Sequence, residues 1–310
     1  MHEHQQPSIG KSRSRKVPTS VFTVVVVSTL VLLKLFAYAQ SDSVSILTSL
    51  TDSLLDVVVS LMALGSIVYS QRPADEDHRW GHGKMEAVYA LIQVAVIIGG
   101  STFLVFESIN RIFKPKPILD HNIAITVMCV SIVLSIVLVI WQRQTLKHEE
   151  SLTIEAETLH YGSDILVNIG TVIVLFASLY GAPIWIDSLF AIGVALFMAT
   201  MARTVFIKSL NMLLDRELPE QDRDAIIETL ESHTGVLGWH DLRTRRHGDV
   251  YDISFDIEVN RKLSLIDAHE ITKELESELV RMFSKCDVMI HVDPQGFTED
   301  ERHRVKGIHI

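Results

Sequence analysis

Long runs of apolar residues without any charge constrain this chain more than any other feature. One run extends from Ala87 to Phe106 and another from His121 to Gln142, and neither contains Asp, Glu, Lys or Arg. A helix needs about 20 mostly apolar residues to cross the ~30 Å hydrocarbon core of a bilayer. Both runs have that length, so the sequence predicts an α-helical membrane protein rather than a soluble one.

Four further apolar stretches bring the expected number of membrane-spanning helices to six. They cover residues 16–38, 45–70, 152–180 and 188–202, and acids interrupt the second and third of them. An even number of spans places both termini on one side of the membrane. Twelve Lys and Arg residues lie next to that side, and three lie next to the other. Because basic residues accumulate on the cytoplasmic side, both termini are expected to be cytoplasmic.

Charge divides the chain into two parts. Residues 1–211 contain 15 basic and 16 acidic side chains, whereas residues 212–310 contain 13 basic and 22 acidic side chains. The acidic balance argues against a nucleic-acid partner, and two cysteines are too few for a disulfide scaffold. The predicted parts are a cytoplasmic tail at 1–17, a transmembrane domain at 18–210, a cytoplasmic domain at 211–294 and a flexible tail at 295–310.

Hydrophobic periodicity predicts an α-β-β-α-β order of elements in the cytoplasmic part. Tyr251, Ile253, Phe255, Ile257 and Val259 alternate with polar residues, as expected of a strand with one buried face. This order is typical of a small α+β domain with helices on one face of a sheet. The predicted helices cover 219–233 and 264–283, and the predicted strands cover 236–246, 250–259 and 287–292.

Two pairs of potential metal ligands lie within the predicted spans. Asp52 and Asp56 are four residues apart on one helix, and His160 and Asp164 are four residues apart on another, so each pair shares a helix face. Ionisable groups in hydrocarbon are costly, and they face partners or a polar cavity. Three carboxylates and an imidazole suit a divalent transition metal. Because these groups also bind protons, metal and protons are expected to compete for the site, which is the basis of an antiporter.

The segments that carry these pairs resemble the cation diffusion facilitator family. Leu50-Thr51-Asp52-Ser53-Leu54-Leu55-Asp56 is similar to the second span of that family. His160-Tyr161-Gly162-Ser163-Asp164 is similar to its fifth span, and residues 71–84 resemble the loop that joins its second and third spans. The likeness covers roughly residues 20–294.

The resemblance implies a function. It implies a homodimer in the bacterial cytoplasmic (inner) membrane that exports Zn²⁺ or Fe²⁺ in exchange for protons by alternating access, with cadmium as a further candidate. The same ions are expected to regulate transport through a metallochaperone-like cytoplasmic domain, and neither an organic cofactor nor an enzyme activity is implied. Two alternatives are a membrane metal sensor and a membrane-embedded metal-dependent enzyme. The sequence has no H-E-x-x-H segment and no Walker A motif.

The resemblance also implies three metal sites. The expected transport site consists of Asp52, Asp56, His160 and Asp164. A loop site is expected at Asp75, His78 and His82. The site expected in the cytoplasmic domain consists of His240, Asp256, His269, His291 and Asp293. Asp256 stands where the family has a histidine, and a carboxylate can still bind metal. Lys84 and Asp215 match a salt bridge that holds the dimer together, and Leu159 matches a gating leucine.

Overall fold

A computed structural model describes residues 14–41, 44–113, 121–179, 185–283 and 285–296. The chain divides into two compact units, one ending at Leu213 and the other beginning at Leu214. The first unit is helical, and the second combines helices with a sheet. The tails predicted at 1–17 and 295–310 lie almost wholly outside the described residues.

Six long helices form the first unit. They are α1 Lys16–Ser41, α2 Val44–Ser70, α3 Met85–Phe113, α4 His121–Leu146, α5 Leu152–Leu179 and α6 Trp185–Leu213. Within the described ranges, all of them except α5 contain a stretch long and apolar enough to cross a membrane. The first half of α5 carries Glu155, Glu157 and Asp164, whereas its second half is apolar apart from Asn168, Thr171 and Ser178. Five of the six predicted spans are therefore supported, and the span predicted for α5 remains a prediction.

Small residues bring α3, α5 and α6 close together. Ala87 and Ala90 of α3, Ala156 of α5 and Ala202 of α6 are completely buried in one cluster. Residues without a large side chain let helix backbones approach closely, which is the usual way in which helices pack in membranes. α6 also continues well beyond residue 202, the predicted end of the sixth span. The residues that follow include polar ones and are helical as far as Leu213.

A buried ion pair joins the beginnings of α1 and α3. Lys16 Nζ of α1 lies 2.9 Å from Glu86 Oε1 of α3, and both side chains are only 3% exposed. The hydroxyl of Ser151, immediately before α5, donates a hydrogen bond to Glu86 Oε2. Ser70, at the end of α2, also donates to Glu86. One carboxylate thus connects four segments at the same end of the helical unit.

The second unit confirms the predicted α-β-β-α-β order. Its elements are α7 Glu220–Ser232, β1 Gly238–His247, β2 Val250–Val259, α8 Leu265–Met282 and β3 Cys286–Pro294. The central strand, β2, pairs with β1 in antiparallel and with β3 in parallel orientation. Ile253, Phe255 and Ile257 of β2 are buried and form one core with Leu230 of α7 and Leu275 of α8. The alternate residues of β2 are consequently left on the other face of the sheet.

Candidate metal centres

Three groups of His and Asp side chains lie close enough to hold a metal ion. These groups are found among the residues that the structure describes. In each group every residue offers one ligand atom, and these atoms all lie within 4.8 Å of one another. The bundle cluster is Asp56, His160 and Asp164; the loop cluster is Asp75, His78 and His82; the sheet cluster is His240, Asp256 and Asp293. Each of them falls within one of the three predicted sites.

The bundle cluster connects α2 with α5. His160 Nε2 lies 3.1 Å from Asp56 Oδ1 and 3.8 Å from Asp164 Oδ2. The spacing of His160 and Asp164 places both on one face of α5, and the packing of α2 against α5 adds Asp56 from 104 residues away. The hydroxyls of Tyr161 and Ser60, 2.6 Å apart, form a second polar contact between the same helices. The His160 ring packs edge-on against Tyr161 with a centroid distance of 5.1 Å.

Asp52 and Leu159 lie beside the bundle cluster rather than in it. Asp52 is exposed and lies one turn before Asp56 on α2, outside the 4.8 Å group. Lys34 of α1 is buried close by and donates a hydrogen bond of 2.6 Å to the Ser53 hydroxyl. Leu159 is partly buried and packs on the cluster shared by α3, α5 and α6. The roles of Asp52 as the fourth ligand and of Leu159 as a gate remain predictions.

The loop cluster lies between α2 and α3. Asp75 Oδ1 is 3.3 Å from His78 Nδ1, and Asp75 Oδ2 is 3.3 Å from His82 Nε2. The backbone N–H of His78 donates to Asp75, and this hydrogen bond holds the pKa of Asp75 below its usual value. Asp75 is therefore ionised at neutral pH. His82 is 6% exposed, and its Nδ1 is buried without a hydrogen-bond partner among the described residues.

The sheet cluster follows from strand register. His240 of β1 is paired with Asp256 of β2, which is paired in turn with His291 of β3. All three belong to one row across the sheet, and Asp256 lies between the buried Phe255 and Ile257, so this row is on the face opposite the core. His240 Nε2 lies 3.8 Å from Asp256 Oδ2 and 3.5 Å from Asp293 Oδ2.

The two other histidines predicted for this site differ in position. His291 Nε2 lies 3.2 Å from Asp293 Oδ1, as expected of residues that alternate along one strand, but 65% of its side chain is exposed. His269 is exposed on α8 and is not part of the 4.8 Å group. The structure thus brings His240, Asp256 and Asp293 together, keeps His291 at the edge of the cluster and leaves His269 outside it.

The predicted dimer salt bridge involves two residues at the ends of long helices. Lys84 lies in the turn that precedes α3. Asp215 follows α6 with a positive φ of 54°, and its carboxylate lies 3.5 Å from Arg245 Nη1 of β1. Arg245 also contacts Asp252 at 2.8 Å. Pairing of Lys84 with Asp215 across a dimer remains a prediction.

Cys286 lies outside all three groups of potential ligands. Burial, together with the neighbouring carboxylates of Asp287 and Glu276, raises the pKa of this thiol to about 11. The thiolate is the form that binds metal and attacks electrophiles. At neutral pH the thiol is therefore protonated.

One buried acid was not recognised as a candidate functional residue from the sequence. Glu157 of α5 is 1% exposed and lies three residues before His160. It contributes to the predicted interruption of the fifth span, but its burial depends on packing against α3. The sequence did contain a signal for it, because Glu157 is an acid inside a predicted span and lies one helical turn from a predicted ligand.

The comparisons with known proteins agree along the chain. A family model of the cation efflux transmembrane domain matches residues 20–214. A second model, of the cytoplasmic domain of cation efflux proteins, matches residues 218–295. The cation-efflux pump FieF of Salmonella schwarzengrund is 38% identical over 277 residues, which cover 89% of this chain and 91% of that protein. FieF of Yersinia pestis is 38% identical over 276 residues, covering 89% of this chain and 92% of that protein.

Solved structures resemble part of the chain. The metal-bound C-terminal domain of the CzcD transporter from Thermotoga maritima is 40% identical and covers 26% of this chain and 93% of that chain, with a TM-score of 0.25. The two FieF relatives are named as pumps, which are transporters and not enzymes. The two family models and the FieF relatives therefore confirm the predicted resemblance, and the chain belongs to the cation efflux family, the cation diffusion facilitators, with a helical transmembrane domain and a cytoplasmic α/β domain.

Proposed function

We propose that this protein exports divalent transition-metal cations from the cytoplasm in exchange for protons. The convergence of Asp56, His160 and Asp164 from two helices carries this proposal. Zinc and ferrous iron are the expected cargo, and cadmium is a further candidate, because imidazole and carboxylate together suit these metals. With Asp52 as a fourth ligand, the site would provide the four ligands that zinc commonly binds.

The proposed assembly is a homodimer in the bacterial cytoplasmic membrane. All six helices span the membrane, and both termini are cytoplasmic, as the distribution of basic residues indicates. The acids that lower the hydropathy of α5 do not conflict with this topology, because Asp164 belongs to the bundle cluster and Glu157 is buried. The domain boundaries at 18–210 and 211–294 are compatible with the two matched families.

Proton exchange follows from the chemistry of the ligands. Carboxylates and imidazole bind either a metal ion or a proton, and imidazole titrates close to neutral pH. If the cluster opens to one side of the membrane at a time, metal leaves on the side where protons replace it. Alternating access of such a site gives antiport without an additional energy source.

A transport assay tests this function. Full-length protein is reconstituted into liposomes whose interior is more acidic than the outer solution. Uptake of zinc, ferrous iron, cadmium and manganese is followed by a metal-sensitive dye. We expect zinc, ferrous iron or cadmium to enter at least about 10-fold faster than manganese, because the imidazole disfavours manganese. Collapse of the gradient by an ionophore is expected to slow uptake. An uptake rate that stays the same after the gradient is collapsed would contradict proton coupling.

The sheet cluster is proposed to bind the same metal and to regulate transport. Metal that binds His240, Asp256 and Asp293 would favour one conformation of the dimer and so alter the transport cycle. Replacing His240 by alanine is expected to lower zinc uptake about 5- to 150-fold at low zinc concentration, the usual range of allosteric coupling. Saturating zinc should restore little of the uptake in His240→Ala, because the regulatory site is lost.

The replacement of Asp256 by histidine is the matched variant for this proposal. It restores the residue type of the family and retains a metal ligand, so we expect regulation to persist. Uptake in His240→Ala that equals the wild-type rate at every zinc concentration would contradict a regulatory role.

A further inference from the structure

Glu157 is a buried acid that the bundle cluster does not use. The residue is 1% exposed, and neither carboxylate oxygen has a hydrogen-bond partner among the described residues. It lies on α5 one helical turn from His160, between the cluster and the beginning of the helix at Leu152. An ionised carboxylate in such a place has lost its water without gaining a partner. The neutral carboxylic acid is therefore the stable form here.

The nearest polar groups do not supply a fixed positive charge. On α3, Tyr89 lies close enough to interact electrostatically with Glu157, and its hydroxyl lies 3.4 Å from Gln93 Oε1. The Gln93 amide nitrogen is buried without a hydrogen-bond partner among the described residues. On α5 itself, Tyr161 and His160 interact with Glu157. Within the described chain, His160 is the one group near Glu157 that can become a cation.

The charged and polar groups of the remaining neighbouring helices have other partners. On α6, Lys208 donates to Glu155 at 2.7 Å. On α4, Gln142 accepts a hydrogen bond from Thr158. On α2, Asp56 contacts His160. A cation in the bundle cluster would therefore be a positive charge close to Glu157 that these groups do not provide.

We propose that Glu157 is a proton site linked to the bundle cluster, holding a proton when the cluster is empty and releasing it when a divalent cation binds there. The cation brings two positive charges to within about one helical turn, which stabilises the carboxylate. The carboxyl O–H bond then breaks, the electron pair stays on oxygen, and the proton passes, as hydronium, to water that reaches the site when the bundle cluster opens to one side of the membrane. When the cation leaves, the carboxylate takes a proton back from water. This inference rests on the proposed transport site.

Linkage between two sites is reciprocal. If cation binding expels a proton from Glu157, protons must weaken cation binding by the same factor. Over the pH range in which Glu157 is protonated only in the empty protein, each unit decrease in pH should weaken cation binding up to an additional 10-fold. Glutamine has nearly the same shape as the neutral acid and cannot release a proton, so Glu157→Gln should remove this contribution.

The experiment measures proton release directly. Zinc is titrated into the purified full-length protein by calorimetry in buffers with different heats of ionisation, which gives the number of protons released. Asp75→Ala and Asp293→Ala are present throughout, so that zinc reports on the bundle cluster. We expect Glu157→Gln to release about one proton fewer per site than this background and to lower the slope of log Kd against pH by about one. Glu157→Asp should keep the release, and Glu155→Gln is the matched control on the same helix.

The outcomes separate this inference from the proposed function. If the background protein binds zinc without releasing protons, proton coupling at the cluster itself is wrong. If it releases protons and Glu157→Gln releases the same number, the assignment of Glu157 alone is wrong. Infrared difference spectra give a second test. Zinc should remove a carboxylic-acid C=O band in the background protein and in Glu155→Gln, and this loss should be missing in Glu157→Gln. A loss that Glu157→Gln leaves unchanged overturns the proposal.

Discussion

Replacing Asp164 by alanine is expected to lower zinc uptake at least about 100-fold. Loss of a residue that only supports a metal ligand already costs 10- to 100-fold, and Asp164 is itself a proposed ligand. Its carboxylate lies 3.8 Å from His160 Nε2, on the same face of α5. Asp56→Ala should have a similar effect, because it removes the contribution of α2. The measurement is the initial rate of zinc uptake into liposomes under a fixed pH gradient.

The control and the fourth ligand are tested in the same assay. Glu155→Ala removes an acid from the same helix without touching the bundle cluster, and it should transport like the wild type. Asp52→Ala tests whether Asp52 completes the ligand set when metal is bound, in which case uptake falls as it does for Asp56→Ala. Wild-type rates in both Asp56→Ala and Asp164→Ala would show that the cargo binds elsewhere.

Replacing Lys16 by methionine is expected to lower the free energy of unfolding by about 3–5 kcal/mol. The change removes the positive partner of Glu86 and leaves a buried carboxylate that only the Ser70 and Ser151 hydroxyls partly compensate. Methionine has nearly the same length as lysine, so packing changes little. Denaturation of the purified protein in detergent, followed by circular dichroism, gives the difference.

A double-mutant cycle separates the ion pair from its surroundings. Lys16→Met combined with Glu86→Met should cost much less than the sum of the single changes, because no charge is left buried alone. The matched control is the more exposed pair of Lys208 with Glu155 at 2.7 Å, where the side chains are 51% and 30% exposed. Removing that pair should cost less than about 1 kcal/mol. Equal costs for the two pairs would contradict the importance of burial.

The cytoplasmic domain could be predicted almost completely from local patterns. The alternation of Tyr251 to Val259 defines both the strand and its buried face, and β2 has the predicted ends. Ser264 caps α8 with a capping box that includes Asp267, so a local signal also places the beginning of that helix. Such features depend on neighbours in the sequence, and they survive when the rest of the fold is unknown.

The details of the metal sites depend on packing that local patterns do not contain. Helical spacing places Asp52 and Asp56 on one face of α2, but the rotation of α2 against α5 decides that Asp56 contacts His160. Strand register similarly places His291 beside Asp256, while the path of α8 keeps His269 outside the group. The burial of Glu157 has the same origin, since it requires α3.

The three clusters differ in how far apart their ligands lie along the chain. The loop cluster draws its ligands from Asp75 to His82, whereas the bundle cluster joins residues that are 104 positions apart. Closing a short loop costs little entropy, and the geometry of the loop cluster does not require α2 and α5 to be aligned. The bundle cluster exists only while α2 and α5 are aligned, so a small slide of one helix takes it apart. A cation bound there would thus be released by a movement of one helix against the other, whereas a cation bound in the loop would not need that movement in order to dissociate.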